Sequence, residues 1–463
     1  MSFGTRSRAV LAFLGTIGLV LAAAASPASA AGRTPTVPTD LFNGHQSCST
    51  DADRPTYLWA GTGLGVEGIP GTTDTADNSL VTVQYRVWPV VDPSGITTAT
   101  RPNALPGIEA PATLPAAALT DGRTYAWQAQ TVADGTASNW SAPCYVTIDN
   151  TRPVTTPAIS SANYQQGVFN PGGAQAQFTL SAEDDDDVTG FEYAWLLPLP
   201  IVGIAHIGDH GIPQFVDPYS QPRNFMRADA PGGSATVSLV PPNGSGPKTL
   251  WVRSLDRAFN ASEITSYMFY VSPTGPSVTP AVPSPEFGEP TEFTLQPAPG
   301  LQATNPVVSY SIQTIGGQAY GNTIEVAAET DGTAKVTVVL DGIYGEALEV
   351  SSKSADGWVS DAGRWSSTYD TTPTVVSDVY PENGPGGGVG VPGSFTFTSK
   401  VKDVVSYTYS LNGDPEVTIA AGDDHSASIG WTPASDGSYD LQVYGTTSSG
   451  MQLASYDYYF TVN

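Results

Sequence analysis

The sequence predicts an all-β protein: four small β-sandwich domains in tandem behind a cleaved signal peptide. The first observation is a recurring strand–turn–strand device, clearest in Gly246–Val271, GPKTLWVRSLDRAFNASEITSYMFYV. There Leu250 and Val252 alternate with Trp251 and Arg253, the period of two of a strand with one face buried. Asp256–Asn260 supplies turn chemistry, and Tyr267–Val271 is rich in β-formers. The device returns from Leu348 to Tyr369 and from Leu441 to Val462, and more loosely from Tyr125 to Ile148. The second observation is composition: 13% charged and 10% aromatic residues exclude disorder, and 48 Gly with 39 Pro fit a turn-rich β protein. The third is length, since 463 residues exceed one sandwich of roughly 100.

Residues 1–30 read as a signal peptide. Arg6 and Arg8 precede the apolar run Ala9–Ala25, and Ala28-Ser29-Ala30 offers small residues for cleavage before Ala31. No cysteine stands near that point, no later run is long enough to span a bilayer, and the chain ends on a strand-like Tyr458–Asn463. The mature protein is therefore expected to be secreted, extracellular and soluble. Loss of Arg6 and Arg8 with no acid takes the net charge from −26 to −28. That balance repels phosphate backbones and anionic lipid, so nucleic acid and membrane insertion are not expected; colloidal solubility accounts for the acidity.

In order, residues 31–40 read as a polar Pro- and Thr-containing linker, and 41–150 as domain 1. Its strands are expected around Tyr57–Trp59, Leu80–Trp88, Tyr125–Gln130 and Cys144–Ile148, with Trp59, Trp88, Trp127 and Trp140 as candidate core fillers. Domain 2 spans 151–273, domain 3 spans 274–371 and domain 4 spans 372–463. Pro-containing junctions at Asp149–Pro153, Ser272–Pro276 and Asp370–Pro373 read as short, fairly stiff hinges. The last three domains share an order: Phe178, Phe293 and Phe395 open comparable strands, and Val237, Val336 and Ile429 precede Leu250, Leu348 and Leu441 by 13, 12 and 12 residues.

These residues resemble fibronectin type III-like and bacterial immunoglobulin-like modules of secreted actinobacterial proteins. Leu119–Trp127 is similar to the fibronectin III pattern leading into strand F. Asp256-Arg257-Ala258-Phe259-Asn260 resembles the Asp-x-Ala-Gly-Asn turn of bacterial Ig-like repeats, with Phe259 where glycine is usual. The resemblance implies four Ig/fibronectin III-like sandwiches acting as spacers, adhesion units or glycan-binding accessories, with no shared catalytic residues.

The candidate sites are few. Cys48 and Cys144, the only cysteines, are expected to form a disulfide within domain 1 once exported. Domain 2 carries a long loop insertion, 196–228: Trp195 to Val237 is 42 residues, against 24 and 18 in the following domains. It reads either as a recognition loop or as a sheet-edge cover. Within it, His206, Asp209 and His210 offer metal-ligand chemistry, although the surrounding glycines argue against a helix that would align them. Glu183, Asp184, Asp185, Asp186 and Asp187 form the densest acidic run, a calcium candidate lacking the Asp-x-Asp-x-Asp-Gly loop; no other cofactor is indicated. Trp251 is a sugar-stacking candidate, as are Tyr444 and Trp358, against inter-module packing or cover by the insertion. Asn139-Trp140-Ser141 matches a glycosylation sequon.

The expected function is a non-enzymatic extracellular spacer or adhesion array. Its partner would be a cell-surface polysaccharide or another extracellular protein, and its oligomeric state is open. A carbohydrate- or cell-wall-binding accessory is the alternative. A glycoside hydrolase comes third, since it needs only two carboxylates at the right separation.

Overall fold

The structure, a computed structural model, describes residues 33–74, 78–200, 204–207, 213–220 and 222–463. The expected signal peptide lies outside them. No helix among them is long and apolar enough to cross a membrane. Two compact units are present: residues up to Thr151 together with 203–216, and residues 152–202 with 217–463.

The first unit holds one sandwich. Strands Gln46–Ser47, Pro35–Asn43, Leu64–Thr72 and Ala112–Leu114 form one sheet in that order. Thr56–Leu58, Cys144–Ile148, Thr124–Ala133, Val81–Pro89 and Thr97–Ala104 form the other. The alternation legible in Val81–Val87 is realised: Val81, Val83, Tyr85 and Val87 face the core with Trp127. Trp59 instead lies just past its strand and is exposed, while Trp88 and Trp140 are half-buried with the Arg86 guanidinium against both rings. The expected linker 31–40 needs correction: from Pro35 onward it is a strand paired with Leu64–Thr72. Its register shifts between Thr36 and Thr39 and again between Thr39 and Phe42. Such irregularities admit Pro38, which has no N–H for a regular ladder.

The second unit holds three sandwiches with separate cores. In the first of them Ala158–Ser161, Ala176–Ser181 and Ser234–Leu239 face Phe169–Asn170, Thr265–Val271, Gly246–Leu255, Gly190–Ala194 and Phe225–Arg227. In the next, Ser277–Pro280, Pro290–Gln296 and Ala334–Val339 face Thr323–Ala327, Val307–Ile315, Glu346–Ser354 and Gly363–Ser367. In the last, Thr374–Val376, Gly393–Thr398 and Ala427–Trp431 face Pro385–Gly386, Tyr456–Val462, Gly437–Thr447, Val404–Leu411 and Val417–Ala420. The phenylalanines read as equivalent, Phe178, Phe293 and Phe395, all lie in the cores.

Register exposes a finer repeat. Tyr85, Tyr310 and Tyr407 each bury their rings, and their hydroxyls donate to the carbonyls of Ala110, Gly332 and His425. Burying a phenol requires such a partner for its O–H. Phe191 pairs with Ser254 as Tyr310 pairs with Ser352, and it fills the same place without a hydroxyl to satisfy.

The junctions within this unit are held by side chains. Asp361 accepts from Ser245 N at 2.7 Å and from Thr274 N and Oγ1 at 3.0 Å each. Asn305 Nδ2 donates to Gly173 O and to Asp356 Oδ1, both at 2.8 Å. A Cβ on Gly173 would lie 2.4 Å from Leu301 Cδ1, so the neighbouring sandwich is seated on bare backbone there. At the following junction Thr371 Oγ1 donates to Ile343 O and accepts from Ala454 N.

Candidate functional site

Cys48 and Cys144 are bonded, with Cα atoms 5.3 Å apart. Cys48 follows the edge strand Gln46–Ser47 of one sheet, and Cys144 opens a strand of the other, so the bridge ties the two layers.

The insertion 196–228 divides three ways. Its first part lies over the outer face of the five-stranded sheet: Glu192 is fully buried there, Arg253 Nε donates to its Oε2, and Arg253 also reaches Pro200 O. Burial raises the pKa of Glu192, while the guanidinium opposes that rise. The middle part forms a hairpin, Ile204–Ile207 with Pro213–Phe215, that belongs to the first unit; Phe215 N donates to His45 O at 2.9 Å. The last part adds the edge strand Phe225–Arg227, and Tyr219 packs beneath the Arg227 guanidinium, 4.4 Å from the ring centroid. Tyr219 also meets Phe259 at 5.9 Å between centroids. Phe259 has φ +63°, which explains why glycine is usual at that turn position; here a ring contact from the insertion accompanies the departure.

His206 lies on the hairpin strand opposite Gln214, and Asp209 and His210 lie outside the described residues. In the acidic run Asp185 is spent on the turn: Oδ1 accepts from Asp187 N and Oδ2 from Thr155 N, each at 3.3 Å. Glu183 and Asp184 both adopt positive φ. Among the described residues no group of three His, Cys, Asp or Glu side chains is arranged to hold a metal ion.

Of the aromatic candidates, Trp358 is buried in its core and needs correction as a surface residue; Asp356 caps its N–H, turning the indole inward. Tyr444 is half-buried with its hydroxyl on Glu416. Trp251 is half-buried on the outer sheet face, opposite Ser266 and Ala194. On the two neighbouring strands of that face stand Tyr270 and Phe169, paired in register with centroids 5.2 Å apart; Phe169 is 65% exposed. Trp251 lies on the same face but further along, since Pro247, not Trp251, stands opposite Tyr270.

Sequence reading missed a polar cluster in the first sandwich. Glu67 is buried, His45 Nδ1 lies 3.4 Å from its Oε1, and neither its Oε2 nor Asn43 Nδ2 has a partner. Desolvation, then the nearby Glu109 carboxylate, push Glu67 up to about 7. Strand alternation gives no signal for this cluster, because its members come from three separate segments.

No family model matches the sequence, and no curated protein matches it either. Solved structures do resemble it. A tetra-tandem repeat from the extending region of a large adhesion protein is 15% identical over 93% of this chain and 99% of that one, with a TM-score of 0.21. Domains FN1–FN3 of chicken CNTN1 are 10% identical over 72% and 98%, with a TM-score of 0.18. A Ca²⁺-stabilized adhesin that helps an Antarctic bacterium reach out and bind ice is 14% identical over 92% and 99%, with a TM-score of 0.22.

Proposed function

We propose that the chain is exported and acts as a non-enzymatic extracellular spacer or adhesion array of four Ig/fibronectin III-like domains. The observation that carries this reading is the bolted junction around Asp361 and Asn305, where side chains of one sandwich are consumed in fixing its neighbour. A module that only needed to fold would gain nothing from those contacts, whereas a spacer transmits position and load through them. A disulfide tying the two layers of domain 1 suits an oxidising compartment. The test is small-angle scattering on the mature chain with and without Asp361→Ala and Asn305→Ala. A distance distribution that broadens in the double variant supports the reading; identical distributions remove its basis.

The pair Phe169–Tyr270, with Trp251 further along the same sheet face, favours one second reading, a carbohydrate- or cell-wall-binding accessory, since rings on a sheet face stack against sugar faces. Pull-down of the mature chain on insoluble polysaccharides and cell walls tests it, with Phe169→Ala and Trp251→Ala as comparators. Saturable binding lost in both variants would promote this reading over the first.

A further inference from the structure

The outer face of the larger sheet of domain 1 differs from its counterparts in charge. Its strands Thr56–Leu58, Cys144–Ile148, Thr124–Ala133, Val81–Pro89 and Thr97–Ala104 contain no aspartate or glutamate. The corresponding sheets of the other sandwiches carry Glu192, Glu349 and Asp440 on theirs. The chain as a whole has 44 acidic against 18 basic residues, so a sheet free of carboxylates is set apart from the surface around it. Val81, Val83, Tyr85 and Val87 turn to the core, which leaves Gln84, Arg86 and Trp88 outward. Register then places Tyr145, Ala126 and Trp88 in one outward row, Gln128, Arg86 and Thr98 in the next, and Gln130, Gln84 and Thr100 in a third. Ala126 points outward yet is 2% exposed, because its larger neighbours close over the methyl.

The rings on this face are held in place. The Arg86 guanidinium lies 5.5 Å from the centroid of Trp88 and 4.2 Å from that of Trp140. Its Nε and Nη2 donate to Gln128 Oε1 at 3.0 and 2.6 Å, and Gln128 Nε2 donates to Ser141 O at 2.6 Å. The polar groups between and beside the rings are only half satisfied. Gln130 Nε2 donates to Gln84 Oε1 at 2.6 Å. Among the described residues, Gln84 Nε2, Gln130 Oε1, the Tyr145 hydroxyl and both indole N–H groups have no protein partner, and none of these atoms is buried. The face therefore offers fixed rings with uncharged donors and acceptors open to solvent beside them.

We propose that this face binds a neutral, extended β-linked polysaccharide laid across the strands, with sugar rings against Tyr145 and Trp88. The proposal rests on the ligand class of the second reading above but not on its rings, which belong to another sandwich. Tyr145 and Trp88 stand two strands apart, about 10 Å by ladder spacing, roughly the reach of two sugar rings end to end. Apolar C–H faces of a sugar settle on such rings. The free amide of Gln84, the oxygen of Gln130 and the indole N–H groups meet its hydroxyls. Charge selects the occupant from both sides. An anionic polymer is repelled by a chain of net charge −26, and a basic protein finds no carboxylate on this sheet to pair with. Because Arg86 fixes the indoles in advance, little ordering of the protein opposes binding.

The test is titration calorimetry of the mature chain with cellohexaose and chitohexaose, against oligogalacturonate as the anionic comparator. At least one of the neutral oligomers should bind, and more tightly than the anionic one. Tyr145→Ala with Trp88→Ala should weaken that binding at least tenfold. Gln84→Ala with Gln130→Ala leaves the rings in place and should weaken it at least threefold; this pair decides the matter if the ring variant does not fold by circular dichroism. Phe169→Ala with Trp251→Ala, on the other sandwich, should change it less than twofold. Loss in that last pair alone would overturn the proposal while leaving the second reading standing. Binding of neither neutral oligomer, or tighter binding of oligogalacturonate, would overturn it as well.

Discussion

Ser262 and Ser254 hold each other twice across one turn: Ser254 N donates to Ser262 Oγ at 2.9 Å, and Ser262 N donates to Ser254 O at 3.0 Å. Ser360 and Ser352 repeat both bonds at 2.9 Å, and Ser141 makes the same pair with Ala129 at 3.1 and 2.8 Å. In the last sandwich only the backbone bond survives, Leu453 N to Gly445 O at 2.9 Å. The serine clamp therefore satisfies the N–H of an interior strand just where its pairing with the following strand ends. Its loss would orphan a buried donor. Ser360→Ala is expected to destabilise its domain by about 1–3 kcal/mol, read by denaturant unfolding, with faster amide exchange at Ser352. Unchanged exchange there would show the clamp to be idle.

Gly173 gives a sharper handle on the junction than removal of a polar group. It adopts φ +82° and faces Leu301 Cδ1 at 2.4 Å from where a Cβ would stand. Gly173→Val is therefore expected to displace the neighbouring sandwich by pressing on Leu301 at the margin of its core, while the core of its own sandwich stays intact. Near-ultraviolet dichroism of the aromatic cores should persist, and limited proteolysis should open new cleavage between residues 272 and 276. Resistance equal to the parent would mean that the seat tolerates a side chain.

The buried Glu67 predicts a pH dependence with a definite sign. Its folded value is about 7 against an ordinary 4.5, so the folded state holds the proton more tightly than the unfolded one. Stability from this group is fully present below about 4.5 and is lost as pH rises through about 7. The groups facing it are Glu109, His45 and Tyr85, with Arg101 acting on Tyr85. Melting of the first sandwich is expected to fall between pH 5 and 8. Glu67→Gln, permanently neutral, should flatten that slope and melt higher than the parent at pH 8. A slope equal to the parent's would place the titration elsewhere.

Much of the fold was legible because the strands are amphipathic and short. Val81–Val87 alternates strictly in sequence, and it does so in burial. Trp358 failed for a related reason. It sits beyond its strand in a turn, where period-two reasoning stops and the cap from Asp356 decides its direction. Pro35 and Pro38 made a real strand read as a linker, because register shifts that accommodate proline leave no mark in composition. The Glu67 cluster was not legible, since it is assembled from segments far apart in the chain. The insertion was visible as surplus length, but its division between two compact units depends on pairings such as Phe215 with His45 that no local pattern encodes.

The disulfide supplies the last prediction. Cys48 and Cys144 close a loop with a sequence separation of 96, and they are the only cysteines in the chain. In the chain-entropy account, a loop of that length removes unfolded-state freedom equivalent to about 4–5 kcal/mol. Cys144 is fully buried in the first core beside Val146 and Trp127, so its replacement also disturbs packing. Cys48→Ser with Cys144→Ser should therefore lower the melting temperature of the first sandwich by roughly 15 °C or more, at about 4 °C or more per kcal/mol for a domain of this size. The three sandwiches of the second unit contain no cysteine and should melt as before. Calorimetry of the mature chain, resolved into its separate transitions, with and without reductant, reads both effects at once. One transition should move while the others stay. A uniform shift of every transition, or no shift on reduction, would show that the bridge does not carry the stability of the first domain.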